Sequence, residues 1–133
     1  MILINNFKNQ ALFLLLFTFN FPVIAQSELD VIAQSELKGE QIFQSNCVAC
    51  HTVGDGDLVG PDLEGVTDKR SDEWLKSWII DNKSFRESGD KDAIAIYEKY
   101  NGASMDVFYF SEEKMSDLLS YLKNPPVTEE VKI

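Results

Sequence analysis

The chain has 133 residues, of which 44% are hydrophobic and 26% are charged, a composition typical of one soluble globular domain. Acidic residues number 22 and basic residues 12, so the formal net charge is −10 at pH 7. This charge argues against nucleic acids and anionic membrane surfaces as partners, and an acidic surface also helps to keep a small protein in solution.

The N-terminal segment differs from the rest of the chain and predicts a secretory signal peptide at residues 1–25. Lys8 is its only charged residue, and an apolar run begins at Ala11 and ends near Pro22. A basic start, a short apolar run and small residues before a cleavage point are typical of export signals. The alternative is a retained membrane anchor, although a span needs about 20 apolar residues. We therefore expect a periplasmic protein, in contact with the membrane only if the signal is retained.

The heptapeptide VIAQSEL occurs twice, at residues 23–29 and 31–37, and overlaps a segment that we interpret as a linker, residues 26–36. Two copies with so short a period do not make a repeat fold, whose units have about 20 residues or more. The duplication places a second potential cleavage point after Ala33. We favour cleavage after Ala25, because acidic residues fit poorly between an apolar run and a cleavage point.

The remaining sequence predicts an all-α fold of about four helices around one small core. Ser35 is expected to cap a first helix that runs towards Cys47, and Ser71, Asp90 and Ser111 are expected to begin three more. Apolar residues recur at helical spacing in the later segments, and no segment alternates convincingly like a strand.

The stretches between these helices, residues 52–70 and 101–110, are predicted as loops, the first because it is rich in Gly and Asp. We place one domain at residues 37–124 and a charged acidic tail at residues 125–133, since the last helix must stop before a pair of prolines. A core of this size is marginal by itself and would gain stability from a covalent link or a bound cofactor.

The only two cysteines and the only histidine of the chain lie together as Cys47-Val48-Ala49-Cys50-His51. Three interpretations remain open for this pattern. An exported protein can join a cysteine pair as a disulfide or use it as a redox centre. A structural zinc site is a second possibility, although it needs four ligands and the chain offers three. The third is covalent haem, for which C-x-x-C-H is the attachment pattern of c-type haem.

Covalent haem is the interpretation that we favour. Two thiols three residues apart on a helical turn can bond the two vinyl groups of one porphyrin edge, and the next residue, His51, then presents its imidazole to the iron. A second axial ligand would be a methionine, since no other histidine exists. Met1 leaves with the signal and Met115 lies on an apolar helical stripe, so the candidate is Met105, in a loop of small residues.

With these residues in place, the chain resembles the small monohaem class I cytochromes c of the bacterial periplasmic type. The resemblance covers about residues 37–124. Its marks are Gly39 and Phe43 before CVACH, then GPDLEGV, WLKSWI, Met105 and the closing SEEKMSDLLSYLK. The two ligand motifs are specific together, whereas the others are packing motifs.

The resemblance implies further roles. The carbonyl of Pro61 is expected to accept a hydrogen bond from His51 and so to fix the imidazole ring. Gly39 and Phe43 are expected to cross the last helix at Tyr121.

Two other positions are less constrained by the resemblance. Trp74 or Trp78 could lie near the haem edge or belong to the core. The family usually follows the ligand methionine with proline, but this chain has Asp106, and we expect a softer ligand loop and a slightly lower reduction potential.

The resemblance implies a one-electron carrier that is not an enzyme. Its cofactor would be one covalent haem c on Cys47 and Cys50, with the iron held by His51 and Met105. We expect it to shuttle electrons between respiratory complexes, from a quinol-oxidising complex to a terminal reductase or oxidase. Partners of an acidic carrier would have a basic docking face. The alternative is a five-coordinate haem protein that acts as a gas sensor or a weak peroxidase.

Overall fold

The structure is a computed structural model that describes residues 24–126. Within that range the chain forms five α-helices and no strand, so the all-α prediction is confirmed. The helices are α1 Ile24–Asn46, α2 Val66–Lys69, α3 Asp72–Glu87, α4 Lys91–Lys99 and α5 Glu112–Lys123. The helix beyond the four that were predicted is the single turn α2. It follows Gly65, whose φ of 63° redirects the chain within the predicted loop.

The start of the first helix was predicted wrongly, because α1 begins at Ile24 and not at Ser35. The predicted linker 26–36 is therefore helical. Both copies of VIAQSEL consist mainly of residues with good helix propensity and contain no Gly or Pro, so nothing stops the helix before the domain. Ser35 does not cap the helix; its Oγ donates a hydrogen bond to Oδ1 of Asp117 over 2.6 Å.

The two ends of the chain are covered only in part. The predicted signal peptide lies outside the described residues except for its last two positions, and so does most of the predicted acidic tail. None of the described helices is both long and apolar enough to cross a membrane. The cleavage point and the domain boundaries thus stay predictions.

The remaining helix starts agree with the sequence. The side chains of Ser71, Asp90 and Ser111 each accept a hydrogen bond from the backbone N–H three residues later, which caps α3, α4 and α5. The sequence predicts this second helix over residues 72–82, whereas α3 continues to Glu87. A break at Asp81, with φ of −154° and ψ of 85°, separates its two parts.

Helices α1 and α5 cross in close contact, as the resemblance implied. A Cβ atom on Gly39 would lie 2.0 Å from the carbonyl oxygen of Asp117 and 2.6 Å from Cβ of Tyr121. One turn later, the rings of Phe43 and Tyr121 pack with centroids 5.4 Å apart. Only glycine lets the two backbones approach this closely, so residue 39 sets the distance between the helices.

The core lies where α1, α3 and α5 meet. Its buried residues form one cluster: Phe43, Leu75, Ile79, Met115, Leu118, Leu119, Tyr121 and Leu122. Met115 is 2% exposed, which agrees with its prediction as a core residue. Five of the eight residues come from α5, so this helix contributes most of the core that supports the site.

Candidate functional site

The cysteines occupy a tight turn that continues α1. The N–H of Cys47 donates to the carbonyl of Phe43 over 2.8 Å, and the N–H groups of Cys50 and His51 both donate to the carbonyl of Cys47, over 3.0 and 2.9 Å. The turn leaves Cys50 exposed, Cys47 half-buried and His51 buried. Backbone hydrogen bonds thus fix Cys47, Cys50 and His51 on one turn at the C-terminal end of α1.

The two thiols are free in the structure and do not form a disulfide. Burial, followed by the proximity of Cys50, raises the pKa of the Cys47 thiol to about 11. Redox-active C-x-x-C pairs work through a thiolate whose pKa is lowered. A thiol with a raised pKa is the opposite arrangement, so the site gives no support to the interpretation as a redox centre.

The imidazole of His51 is held by the loop that follows it. Nδ1 lies 2.9 Å from the carbonyl oxygen of Pro61, and a carbonyl can only accept, so Nδ1 carries the proton. In the neutral ring, Nε2 is then the nitrogen with the free lone pair, which is the one able to bind a metal. Gly60 packs on the ring, since a Cβ atom there would lie 2.5 Å from Cε1 of His51.

The loop that carries Pro61 is closed by one carboxylate. Asp62 accepts hydrogen bonds from the N–H groups of Gly54, Gly56 and Glu64 and from the hydroxyl of Thr52. Burial raises the pKa of Asp62, but these hydrogen bonds outweigh it and lower the pKa to about 2. The carboxylate is therefore ionised at neutral pH and keeps the loop folded against His51.

A second carboxylate joins this loop to the other side of the site. Oδ1 of Asp57 accepts the N–H of Asp62 over 2.9 Å, and Oδ2 accepts the hydroxyl of Tyr100 over 2.7 Å. Tyr100 lies directly after α4, where the chain turns into the segment that contains Met105. The histidine side and the methionine side of the site are thus linked through one side chain.

Met105 lies in the predicted loop between α4 and α5. The chain leaves α4 through Asn101 and Gly102, both with positive φ, and then continues without regular secondary structure to α5. Two bonds attach the loop to α3: Nδ2 of Asn82 donates to the carbonyl of Met105 over 3.1 Å, and the N–H of Phe108 donates to the carbonyl of Ile80 over 3.2 Å.

One cavity of about 590 Å³ brings the predicted site residues together. Its walls include five of them: Cys47, Cys50, His51, Pro61 and Met105. Its volume falls within the range of about 300–1,000 Å³ that cofactor sites occupy, and much of its lining is apolar and aromatic. The turn after α1 and the loop after α4 supply different walls, although 54 residues of sequence separate His51 from Met105.

Both tryptophans line this cavity, and Trp74 also packs against the core. Their rings stack with centroids 5.5 Å apart, and Nε1 of Trp74 donates to Asp90 over 3.2 Å. The two expectations for these residues, core or cofactor edge, are therefore compatible for Trp74.

The residues of the cavity fit a covalent haem. The donor set consists of two thiols on one turn, an imidazole with a free Nε2 and a thioether, which are the groups that attach a c-type haem and bind its iron. Among residues 24–126, no three His, Cys, Asp or Glu side chains converge as a metal site. The zinc interpretation therefore lacks its ligand set in this part of the chain.

Residues 37–125 match the family model for cytochrome c. The chain belongs to the cytochrome c family. Membership implies haem c with its iron as the cofactor, and the proposed covalent bonds and iron ligands agree with the residues that the cavity gathers.

The proteins that this chain resembles in sequence and structure are also cytochromes c. A cytochrome c-553-like protein of Synechocystis is 28% identical over 86 residues, a match that spans 65% of this chain and 65% of that protein. A solved cytochrome c from Rhodothermus marinus is 27% identical with a TM-score of 0.63, over 68% of this chain and 76% of that one. A cytochrome c domain from Pseudomonas putida is 36% identical with a TM-score of 0.56, over 64% and 84% of the two chains.

Two residues that hold the loops of the site in place, Asp62 and Asn82, were not predicted from the sequence. The sequence marks Asp62 only as part of GPDLEGV and Asn82 only as the last residue of the predicted helix 72–82. A signal for Asn82 was present, because it continues the apolar face of Leu75 and Ile79 at helical spacing. A polar residue at such a position is buried and needs partners, and one of them, the carbonyl of Met105, belongs to the distant loop.

Proposed function

We propose that this protein is an exported, periplasmic one-electron carrier of a respiratory chain. One observation carries the proposal: a single cavity gathers Cys47, Cys50, His51 and Met105, although Met105 comes from a distant loop. Two thiols would bond the haem, and an imidazole and a thioether would bind its iron. When bound, the haem supplies an Fe(III)/Fe(II) couple that accepts and releases one electron.

The chain's own residues favour transfer of an electron over catalysis. Pro61 holds the protonated Nδ1 of His51, which fixes the ring and makes the free nitrogen more basic. Asn82 holds the backbone of Met105, so the thioether is kept at the cavity. If His51 and Met105 both bind the iron, no position would be left on it for a substrate or a gas. The attachment of the Met105 loop therefore favours the carrier over the sensor or peroxidase.

The remaining parts of the proposal rest on charge and on the N-terminal sequence. The predicted signal peptide at residues 1–25 supports export to the periplasm, where attachment of c-type haem takes place. The net charge of −10 supports partners with a basic docking face. A donor such as a quinol-oxidising complex and an acceptor such as a terminal reductase or oxidase fit a soluble carrier of this kind.

The proposal is tested by potentiometric titration of protein purified from a host that attaches c-type haem. The carrier should show a reversible one-electron couple, and the haem should stay on the polypeptide in a denaturing gel. Cys47→Ser with Cys50→Ser should remove the covalent haem. Haem that binds carbon monoxide or turns over peroxide at a high rate in the unmodified protein would contradict the carrier and support the five-coordinate alternative.

A further inference from the structure

Helix α3 is interrupted at Asp81, three residues before Ser84. In an unbroken helix the N–H of Ser84 would donate to the carbonyl of Ile80. Here Oδ1 of Asp81 accepts that N–H over 3.0 Å, and Oδ2 accepts the hydroxyl of Ser84 over 2.7 Å. Asp81 thus acts as the N-cap of a second helical segment, and the carbonyl of Ile80 is released.

The groups released by the break bind the loop of Met105. The carbonyl of Ile80 accepts the N–H of Phe108 over 3.2 Å, and Nδ2 of Asn82 donates to the carbonyl of Met105 over 3.1 Å. Two residues of α3, Ile80 and Asn82, therefore hold the two ends of the segment 105–108. The segment itself contains no proline. Asp106 can change its φ, whereas a proline at this position would fix it.

The amide of Asn82 is oriented by its surroundings. The side chain is 2% exposed, and Nη2 of Arg86 lies 3.4 Å from Oδ1 of Asn82. A guanidinium only donates, so Oδ1 must face Arg86 and Nδ2 must face Met105. The guanidinium of Arg86 is itself fixed, with Nε donating to the carbonyl of Asn82 over 3.2 Å and the group lying 3.5 Å from the ring centroid of Tyr97.

We propose that Asn82, oriented by Arg86, is a positioning residue for Met105. It acts on the backbone of residue 105 and keeps the thioether at the cavity, so that competing ligands seldom reach the iron. The inference rests on the proposed function, since it requires Met105 to bind the iron. Without the amide donor, the loop would spend more time away from the site, and the apparent affinity for a competing ligand would rise accordingly.

The test is a titration of the oxidised holoprotein with imidazole, followed by absorption. Asn82→Asp keeps the size of the side chain and an acceptor for Arg86 but removes the donor to Met105. We expect it to bind imidazole about tenfold more tightly than the wild type, the effect of losing one buried hydrogen bond. Arg86→Met should tighten binding in the same direction by about threefold, because it removes only the group that orients Asn82.

The matched control is Leu119→Ala. Leu119 is buried on α5 and is absent from the cavity wall, so its loss destabilises the fold without touching the Met105 loop. We expect its melting temperature to fall and its imidazole affinity to stay within about twofold of the wild type. Equal tightening in Leu119→Ala and Asn82→Asp would overturn the inference, because a general loss of stability would then explain both.

Two further outcomes separate the inference from the proposed function. If Met105→Ala binds imidazole much more tightly while Asn82→Asp and Arg86→Met match the wild type, Asn82 has no positioning role and the iron ligand stands. If Met105→Ala also matches the wild type, Met105 is not the ligand and both ideas are overturned. Should Asn82→Asp give no folded holoprotein, Arg86→Met decides, and an unchanged imidazole affinity there counts against the inference.

Discussion

The hydrogen bond between His51 and Pro61 determines which nitrogen of the imidazole is available to a metal. Because the carbonyl of Pro61 can only accept, the proton is fixed on Nδ1 and the ring presents Nε2. Gly60 completes this wall, since any side chain there would meet the ring. One short loop thus controls the tautomer and the orientation of His51, two properties that its position in the motif does not determine.

The first prediction concerns the second axial ligand. Met105→Ala should keep the covalent haem, because both thiols remain, but should lose the near-infrared absorption and the strongly shifted NMR methyl signal of an iron-bound methionine. The matched control is Met115→Leu, a substitution of similar volume in the core that should cost less than about 1.5 kcal/mol. If the methionine signals survived in Met105→Ala, or vanished in Met115→Leu, the assignment would fail.

At this scale the residues that the cavity gathers are easier to predict from the sequence than the residues that support them. One local motif indicates Cys47, Cys50 and His51. Met105 is indicated because the chain has only two other methionines. Asn82 and Asp62 act through partners that are distant along the chain or belong to a loop of irregular shape. Such contacts arise only from the tertiary fold, so the spacing of residues gives at most a hint of them.

At the scale of elements, the crossing of α1 over α5 sets the position of the cysteine turn. Gly39→Ala should destabilise the protein, because the added Cβ would meet the backbone of Asp117 at 2.0 Å. Overpacking of this kind costs about 1–3 kcal/mol, which exceeds the gain of about 1 kcal/mol from alanine in a helix. Denaturant unfolding measures the change in the free energy of unfolding.

The control for this substitution is Gln44→Ala, an exposed position on the same helix. It should change the free energy of unfolding by no more than about 0.5 kcal/mol. If Gly39→Ala were as stable as the wild type, the two helices could separate without loss, and the crossing would not position the site as described.

The loop 52–64 gives a prediction that depends on pH. The folded pKa of Asp62, about 2, lies below the ordinary value of 3.8, so the carboxylate stabilises the fold above about pH 4 and loses this effect as the pH falls towards 2. Asp62→Asn should lower the melting temperature at neutral pH and should flatten its decline between about pH 4 and pH 2. Circular dichroism of the holoprotein at a series of pH values measures both effects.

Asp55→Asn is the control for the loop. Asp55 is exposed in the same loop, and its carboxylate is not among the acceptors that close it. This variant should keep the wild-type dependence of melting temperature on pH. A decline in Asp62→Asn as steep as that of the wild type would mean that other carboxylates govern stability in acid.

The sequence predicted most elements because three helices carry side-chain caps at their starts. It failed where no local signal marks a boundary. At α1, the duplicated segment contains good helix formers and no helix breaker, so the helix extends through residues 26–36, which were predicted as a linker. At α3, the helix continues past Asp81 as a second, capped segment, and the carbonyl of Ile80 binds the distant loop of Met105.

For the whole molecule, charge gives the prediction about partners. Electron exchange with a basic redox protein should slow by about tenfold or more as ionic strength rises from about 0.01 to 0.5 M, because screening weakens the attraction. Stopped-flow absorption measures the rate. Exchange with an acidic partner should instead become faster as salt is added.

A pair of variants locates the docking face. Glu64 is exposed and lines the cavity, whereas Glu112 is exposed at the start of α5 and is absent from the cavity wall. Glu64→Gln should reduce the rate with a basic partner more than Glu112→Gln, although both remove one negative charge. Equal effects would indicate that net charge alone guides association.

The most direct measurement of the central claim is an absorption spectrum of the purified protein, first oxidised and then reduced with dithionite, after expression with c-type haem maturation. The account predicts sharp c-type bands in the reduced protein and a weak near-infrared band of methionine-bound Fe(III) in the oxidised protein. Haem bands without the near-infrared band would contradict the His51/Met105 pair. A protein without haem bands would contradict the carrier itself and would leave Cys47 and Cys50 as a pair of ordinary thiols or a disulfide.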